Sequence, residues 1–378
     1  MPSGLRGAAE KVQTEVKLSD FDYELSPERI AQWPLQERDA SRMLLLGRNS
    51  GAWEDRNFRE LPELLRGDEL IIINTSRVLP ARLFGYRKGI HAQHPAKHDP
   101  ARHEHLSASV EVLLLRSFGN GEWEALVRPG RKIPVGEIIV FGESQLEAEV
   151  TAREGYGIRR LRFSATADLT KAIEQIGHIP LPPYIKREDS PLDRERYQTV
   201  FAREGAAVAA PTAGLHFTPE ILARVRAKGV EISEVILDVG LGTFEPIRAE
   251  TLEEHHIHSE AYEIPEATAE AITRARSDGR PVLAIGTTVV RALEDAAEKS
   301  AASSSPLQAG RAEANIFLYP GKKFLIVKQL LTNFHLPRSS LLALVAAFAG
   351  REKVLAAYRH AVESAYRFYS YGDCMLIR

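Results

Sequence analysis

The spacing of apolar runs changes abruptly along this chain, and that change constrains the fold more than any single motif. Residues 43–46 and 70–74 are dominated by continuous apolar runs, the pattern of strands buried on both faces. Between Leu79 and Phe163 the runs become short and closely spaced, at 110–115, 122–127, 137–141, 146–152 and 157–163. Gly and Pro punctuate them at Gly119-Asn120-Gly121, Pro129-Gly130, Pro134-Val135-Gly136 and Gly155-Tyr156-Gly157. Such spacing predicts an antiparallel barrel or sandwich. From Asp168 onward helical and strand patterns alternate, as in an α/β layer. Strands are expected at 206–210, 230–238, 282–285, 324–327 and 374–377, and helices at 219–227, 265–277, 289–298, 341–348 and 352–363. The fold expected is a mixed, layered α/β domain from 17–78 and 165–378, discontinuous in sequence, with a β-barrel domain inserted at 79–164.

The 378 residues leave room for two such domains. Lys and Arg (49) nearly balance Asp and Glu (51), so nucleic-acid binding would need a local patch rather than a global field. The single cysteine, Cys374, excludes an internal disulfide and a multi-cysteine zinc site. Residues 1–16 read as a tail without the apolar core of a signal peptide. The longest apolar run, 341–349, falls far short of the roughly 20 residues that span a membrane. The expectation is a cytoplasmic protein with no membrane contact. The loop at 88–107 carries five histidines, and Glu253-Glu254-His255-His256-Ile257-His258-Ser259-Glu260 carries three. Neither has the spacing of a tight site, so no metal is expected.

Three strand-to-helix junctions concentrate polar chemistry. Pro211-Thr212-Ala213-Gly214-Leu215-His216-Phe217 leads to Thr218-Pro219-Glu220, an N-cap, a first-turn proline and a dipole-matched acid. His216 is the side chain there able to move a proton near neutral pH. Ile285-Gly286-Thr287-Thr288-Val289 is the second junction; a threonine cap is expected, with amides suited to a carboxylate. The third, Thr332-Asn333-Phe334-His335-Leu336-Pro337-Arg338-Ser339, is dense in donors ahead of a helix. Leu237-Asp238-Val239-Gly240-Leu241-Gly242-Thr243 follows a strand but lacks the third glycine of a dinucleotide site, so a nicotinamide cofactor is rejected. Its glycines still permit close backbone approach, and Asp238 stands at a strand end, where ligands of open α/β sheets gather. Basic residues with interleaved tyrosine suit contact with an RNA backbone: Arg77 and Arg82, then Tyr184, Lys186, Arg187 and Arg196, with Arg338 in the third junction. Arg128, Arg131 and Lys132 add a basic turn in the barrel region.

Eight motifs in order resemble one family. They are 19–25, 38–42, 74–78, Gly177-His178-Ile179-Pro180-Leu181-Pro182-Pro183-Tyr184-Ile185, Asp193-Arg194-Glu195-Arg196-Tyr197-Gln198-Thr199-Val200, 211–218, Val239-Gly240-Leu241-Gly242-Thr243-Phe244 and 332–337. The family is the S-adenosylmethionine:tRNA ribosyltransferase-isomerases of queuosine biosynthesis, and the resemblance spans about residues 18–378. It departs in the tail, the histidine-rich loop and the serine-rich stretch 300–312.

The resemblance implies an α/β domain with an inserted β-barrel, and a monomer. It also implies that the chain consumes S-adenosylmethionine as cosubstrate. The ribosyl part passes to 7-aminomethyl-7-deazaguanine at the tRNA wobble position and rearranges, giving epoxyqueuosine-tRNA, adenine and methionine. On that reading His216, Asp238 and Glu260 are the catalytic candidates. Cosubstrate contacts fall to Thr212, Gly214, Gly240, Gly242, Thr243, Gly286, Thr287, Thr288, Asn333 and His335, and tRNA contacts to Arg77, Arg82, Tyr184, Lys186, Arg187, Arg196 and Arg338. Two rivals remain. An S-adenosylmethionine-dependent RNA methyltransferase would place a glycine-rich loop after its first strand, and none is there. A non-catalytic RNA-binding module would leave the three polar junctions without a use.

Overall fold

A computed structural model describes residues 16–89, 109–142, 146–166, 168–238, 240, 249–255, 257–303 and 306–378. The expectations for Gly242, Thr243, His256, most of the histidine-rich loop and the tail before Val16 lie outside these residues.

A nine-stranded mixed sheet organises the larger part of the chain. Its order is Gly310–Ala314, Glu260–Ile264, Glu231–Asp238, Leu70–Asn74, Val282–Ile285, Val327–Asn333, Cys374–Ile377, Arg42–Leu46 and Trp53–Asn57. The four strands from Glu231–Asp238 to Val327–Asn333 run parallel. All residues of Leu70–Asn74 and Val282–Ile285 are buried, which is why they read as unbroken apolar runs. The two-residue period of a strand then divides them between two cores. Leu70 and Ile72 pack with Ile272, Leu293 and Leu342 under the helices Glu266–Ser277, Thr287–Ala302 and Ser340–Ala349. Ile71 and Ile73 pack on the opposite face with Phe58, Ile221 and Val225, the last two from the Pro219–Ala227 helix. A small parallel sheet, Ser76–Val78 with Glu204–Ala207, stands apart.

The inserted strands close into a six-stranded antiparallel barrel, ordered Ile158–Phe163, Glu122–Arg128, Val110–Gly119, Arg82–Arg87, Ile138–Phe141 and Leu146–Arg153. Alternate residues, such as Val110, Val112 and Leu114 or Leu146, Ala148 and Val150, fill its interior. Closure leaves no open edge. The hairpin at Gly119-Asn120-Gly121 turns through positive φ at each residue, a geometry that Gly and Asn adopt at low cost.

The structure corrects several local readings. The strand expected at 324–327 is instead Val327–Asn333, because the Glu294 carboxylate accepts the backbone N–H groups of Leu325, Ile326 and Val327 before the ladder begins. The strand expected at 206–210 is Glu204–Ala207, paired only with the three-residue Ser76–Val78. The break expected at 300–312 is narrower. The helix runs to Ala302 and Gly310–Ala314 is an edge strand. Thr218 and Ser339 cap their helices as expected, each accepting at 3.2 Å from the amide three residues on. The Thr287–Ala302 helix differs. Gly286 occupies its N-cap, and no side chain caps it.

Candidate active site

Parallel strands deliver their C-terminal ends to one side of a sheet, and there the polar junctions meet. Gly286 follows Val282–Ile285, and Asn333 ends Val327–Asn333. Gly286 takes φ +100°, a conformation that side chains other than hydrogen disfavour, and this lets the strand turn straight into the helix. The result is a cavity of about 360 Å³ lined by residues 209–213, 286–288 and 332–339, with Pro183, Tyr184, Leu341, Tyr369 and Ser370. The first turn of a sixteen-residue helix therefore faces the cavity with amides that no side chain caps.

The third junction is held from beneath. His335 is buried, its Nε2 2.9 Å from Thr332 Oγ1. Its backbone N–H donates to Tyr358 at 3.2 Å, and Tyr23 donates to its carbonyl. Burial pushes the His335 imidazole down to about 3, so it is neutral near pH 7. Asn333 Nδ2 donates to the Tyr369 carbonyl at 2.9 Å, while its Oδ1 is buried without a partner among the described residues.

His216 does not line this cavity. It lies in an adjoining hollow of about 20 Å³ with Arg38, Ser41, Arg196 and Tyr371, and Ser370 borders both spaces. Its Nδ1 lies 2.9 Å from Ser41 Oγ, and its ring packs on Phe58 at 5.3 Å. Nε2 has no well-aligned partner among the described residues. Burial is the main cause that brings its pKa down to about 4; Arg367 and Arg38 add to this, and Asn333 opposes it. Asn333 is thus close enough to favour the imidazolium, although the two side chains do not align as a good hydrogen bond.

The other sequence candidates separate. Thr212, Gly286, Thr287, Thr288, Asn333 and His335 line the cavity. Gly214 does not. A Cβ there would lie 2.7 Å from the Phe201 ring and 2.9 Å from Thr199, so packing requires the glycine. Gly240 is half-buried with open space beside it. Asp238 is exposed at its strand end and acts electrostatically on Arg311. Glu260 is buried in a 2.6 Å ion pair with Arg291, away from the cavity lining.

Among the basic set, Tyr184 and Arg338 line the cavity. The Tyr184 ring lies 3.9 Å from that of Tyr369, and Arg338 Nε donates to Asp22 at 2.8 Å. Arg77 pairs with Glu174 at 2.5 Å and Arg82 with Glu111 at 3.3 Å. Arg187 grips Asp193 with two bonds of 2.7 and 2.8 Å and stacks 3.5 Å from the Trp33 ring. Arg196 donates to the Gln36 carbonyl at 2.9 Å. Lys186 is exposed. Among the described residues no three His, Cys, Asp or Glu side chains are grouped as a metal site would need.

Two residues at the site, Tyr369 and Ser370, lie outside every motif singled out in the sequence, and Ser41 lies in the 38–42 motif without a role assigned to it. The aromatic run Tyr366-Arg367-Phe368-Tyr369-Ser370-Tyr371 was the available signal, and Tyr369 sits at φ +72°, uncommon for a residue with a side chain.

Comparison with known proteins matches this arrangement to one family. The family model described as queuosine biosynthesis protein matches residues 18–377. A relative from Solibacter usitatus, named S-adenosylmethionine:tRNA ribosyltransferase-isomerase, is 56% identical over 96% of this chain and all of its own length. One of the same name from Moorella thermoacetica is 47% identical, over 96% of this chain and all of its own. A crystal structure of S-adenosylmethionine tRNA ribosyltransferase from Thermotoga maritima is 35% identical, covers 95% of this chain and 100% of its own, and superposes with a TM-score of 0.50. With nearly its whole length matched, this chain belongs to the queuosine biosynthesis protein family.

Proposed function

We propose that this protein is an S-adenosylmethionine:tRNA ribosyltransferase-isomerase. It moves the ribosyl part of S-adenosylmethionine onto the aminomethyl group of 7-aminomethyl-7-deazaguanine at the tRNA wobble position, giving epoxyqueuosine-tRNA. The change is redox-neutral. The C–S bond to methionine and the N-glycosidic bond to adenine break, a C–N bond to the amine and a ring-closing C–C bond form, and the ribose ring oxygen is kept as the epoxide oxygen. Methionine leaves with the C–S electron pair, adenine gains a proton, and one proton is released. The observation that carries this reading is the cavity itself. Its volume is within the ordinary range for small-ligand sites, and a helix start faces donors from two further loops across it.

The chemistry requires a base beside the sulfonium carbon, an acid at adenine and a free amine. The uncapped amides at Thr287 and Thr288 suit the methionine carboxylate, since a helix start favours an anion. Asn333 Oδ1 and Arg338 supply an acceptor and donors for the adenine or ribose part. His216 is assigned the proton transfer, from a hollow that shares Ser370 with the main cavity. Tyr184 offers a face on which the wobble base can stack. Glu260 is assigned to the Arg291 pair, and Asp238 stays exposed at its strand end. The organisation proposed is an α/β unit of 17–78 and 165–378 interrupted by the barrel at 79–164. The protein acts as a cytoplasmic monomer without a metal, and no helix among the described residues is long and apolar enough to cross a membrane.

The test is mass spectrometry after incubation with S-adenosylmethionine and tRNA bearing 7-aminomethyl-7-deazaguanine. Adenine, methionine and an epoxycyclopentane-bearing base are expected in equal amounts. S-adenosylhomocysteine would indicate a methyltransferase, and tRNA binding without turnover a binding module.

A further inference from the structure

A second cleft, of about 590 Å³, opens at one end of the barrel and shares no lining residue with the main cavity. It lies between the turn that follows Glu122–Arg128 and the Gly155-Tyr156-Gly157 turn. Arg128, Arg131, Arg153 and Arg159 line it, and the one acid there, Glu154, is engaged by Arg160 at 3.0 Å. Among the described residues none of these four arginines forms an ion pair.

Arg159 is the telling member. It is 1% exposed, yet among the described residues its guanidinium meets only backbone carbonyls: Ile158 at 2.8 Å and Gly130. Its Nε has no partner among the described residues. A buried charge without a counter-ion is costly, and Arg153 adds repulsion to it. The backbone is shaped around this group. A Cβ at Gly130 would lie 3.3 Å from Gly157 and 3.6 Å from the Arg159 guanidinium, so glycine keeps the two turns close. On the other side, Gly155 faces open space. Many arginines elsewhere are neutralised by carboxylates, as in Arg77–Glu174, Arg87–Glu137 and Arg162–Glu122, whereas four without such a partner among the described residues line this one cleft.

We infer that the barrel-end cleft is an anion-binding surface for the phosphodiester backbone of the tRNA substrate, distinct from the cavity where the base reacts. Guanidinium groups suit phosphate oxygens because their fixed fork donates two parallel bonds. Exposed Arg128, Arg131 and Arg153 make the contacts that a mobile backbone can reach, and Arg159 holds a fixed positive potential at the floor. Such contacts position the nucleic acid without reading its sequence.

This inference rests on the tRNA reading above, and one experiment separates the two. Binding of unmodified tRNA is measured by fluorescence anisotropy against salt concentration, for the wild type and for R131Q/R153Q. Both substitutions are on exposed side chains, and circular dichroism reports retained folding. The expected result is an affinity about five- to tenfold weaker at low salt and a log–log salt slope less negative by about one to two. KM for tRNA rises in proportion while kcat at saturating tRNA is unchanged, and R131K/R153K restores the slope. A wild-type salt slope retained in R131Q/R153Q overturns the cleft and leaves the tRNA reading standing. Failure of the wild type to bind tRNA overturns both.

Discussion

Ser41 Oγ lies 2.9 Å from His216 Nδ1, so one nitrogen of this buried imidazole is anchored while the other, Nε2, is turned toward Asn333 without a settled hydrogen bond. A neutral imidazole anchored on one nitrogen leaves the other free to take a proton, the role proposed for His216. His216→Ala is therefore expected to remove turnover while leaving the fold intact. Adenine release and the thermal unfolding midpoint check it together, and normal turnover would end the assignment.

The pH dependence of His216 has a definite sign. Its folded pKa is lowered from 6.5 to about 4. Between these values the unfolded chain takes up a proton that the folded chain refuses, so stability rises with pH across this window. The contribution is complete above pH 6.5 and is lost as pH falls to about 4, roughly 3 kcal/mol in all. The unfolding free energy of wild type minus that of His216→Gln should rise by this amount between the two pH values. A constant difference would contradict the buried neutral imidazole. The same shift removes any activity limb near pH 6.5 that would arise from His216.

Gly286 is expected to be intolerant of a side chain for a conformational reason alone. A Cβ would meet nothing nearer than 3.9 Å, but φ is +100°. Gly286→Ala should cost about 1–3 kcal/mol and displace the uncapped amides that follow. Its signature is a raised KM for S-adenosylmethionine with unchanged affinity for tRNA. Equal losses on both substrates would show that the turn serves folding only.

The Arg291–Glu260 pair separates a structural from a catalytic reading of Glu260. Both side chains are buried, and Arg291 also donates to the His258, Ala314 and Ile316 carbonyls. Glu260→Ala leaves that guanidinium uncompensated, at a cost of about 3–5 kcal/mol in unfolding free energy. Turnover per folded molecule should be unchanged below the melting transition. A folded variant without turnover would return Glu260 to the catalytic group.

Asp193 should behave similarly. Burial alone would raise its pKa, but bonds from Arg187, Tyr371 and Ser190 outweigh this and bring it down from 3.8 to about 2. Its stabilisation is full above pH 3.8 and is lost as pH falls through about 2. Asp193→Asn should lower the unfolding free energy at neutral pH by several kcal/mol and flatten acid unfolding between pH 4 and 2. Unaltered acid unfolding would show that the carboxylate is not held ionised.

Much of the architecture follows from local pattern alone. Val282–Ile285, Cys374–Ile377 and the Pro219–Ala227 helix lie where apolar period and capping residues put them. The barrel was legible because turn residues recur at the spacing of hairpins. Strands with polar sequences were not legible. Trp53–Asn57 and Glu260–Ile264 pair because a neighbour presents free backbone groups, which the side chains do not record.

The three polar junctions were also legible as candidates, since chemistry-bearing residues at a strand-to-helix turn are a local property. Their convergence was not. Parallel pairing of Val282–Ile285 with Val327–Asn333 brings Gly286 and Asn333 to the same end of the sheet. The register that does this depends on backbone bonds between segments some 45 residues apart. Partnership is likewise a tertiary property. Whether an arginine in the sequence reaches tRNA or a carboxylate depends on which groups the packed chain places beside it. Arg187 and Arg131 look alike as residues in a basic cluster. Folding gives one of them Asp193 and leaves the other facing an open cleft.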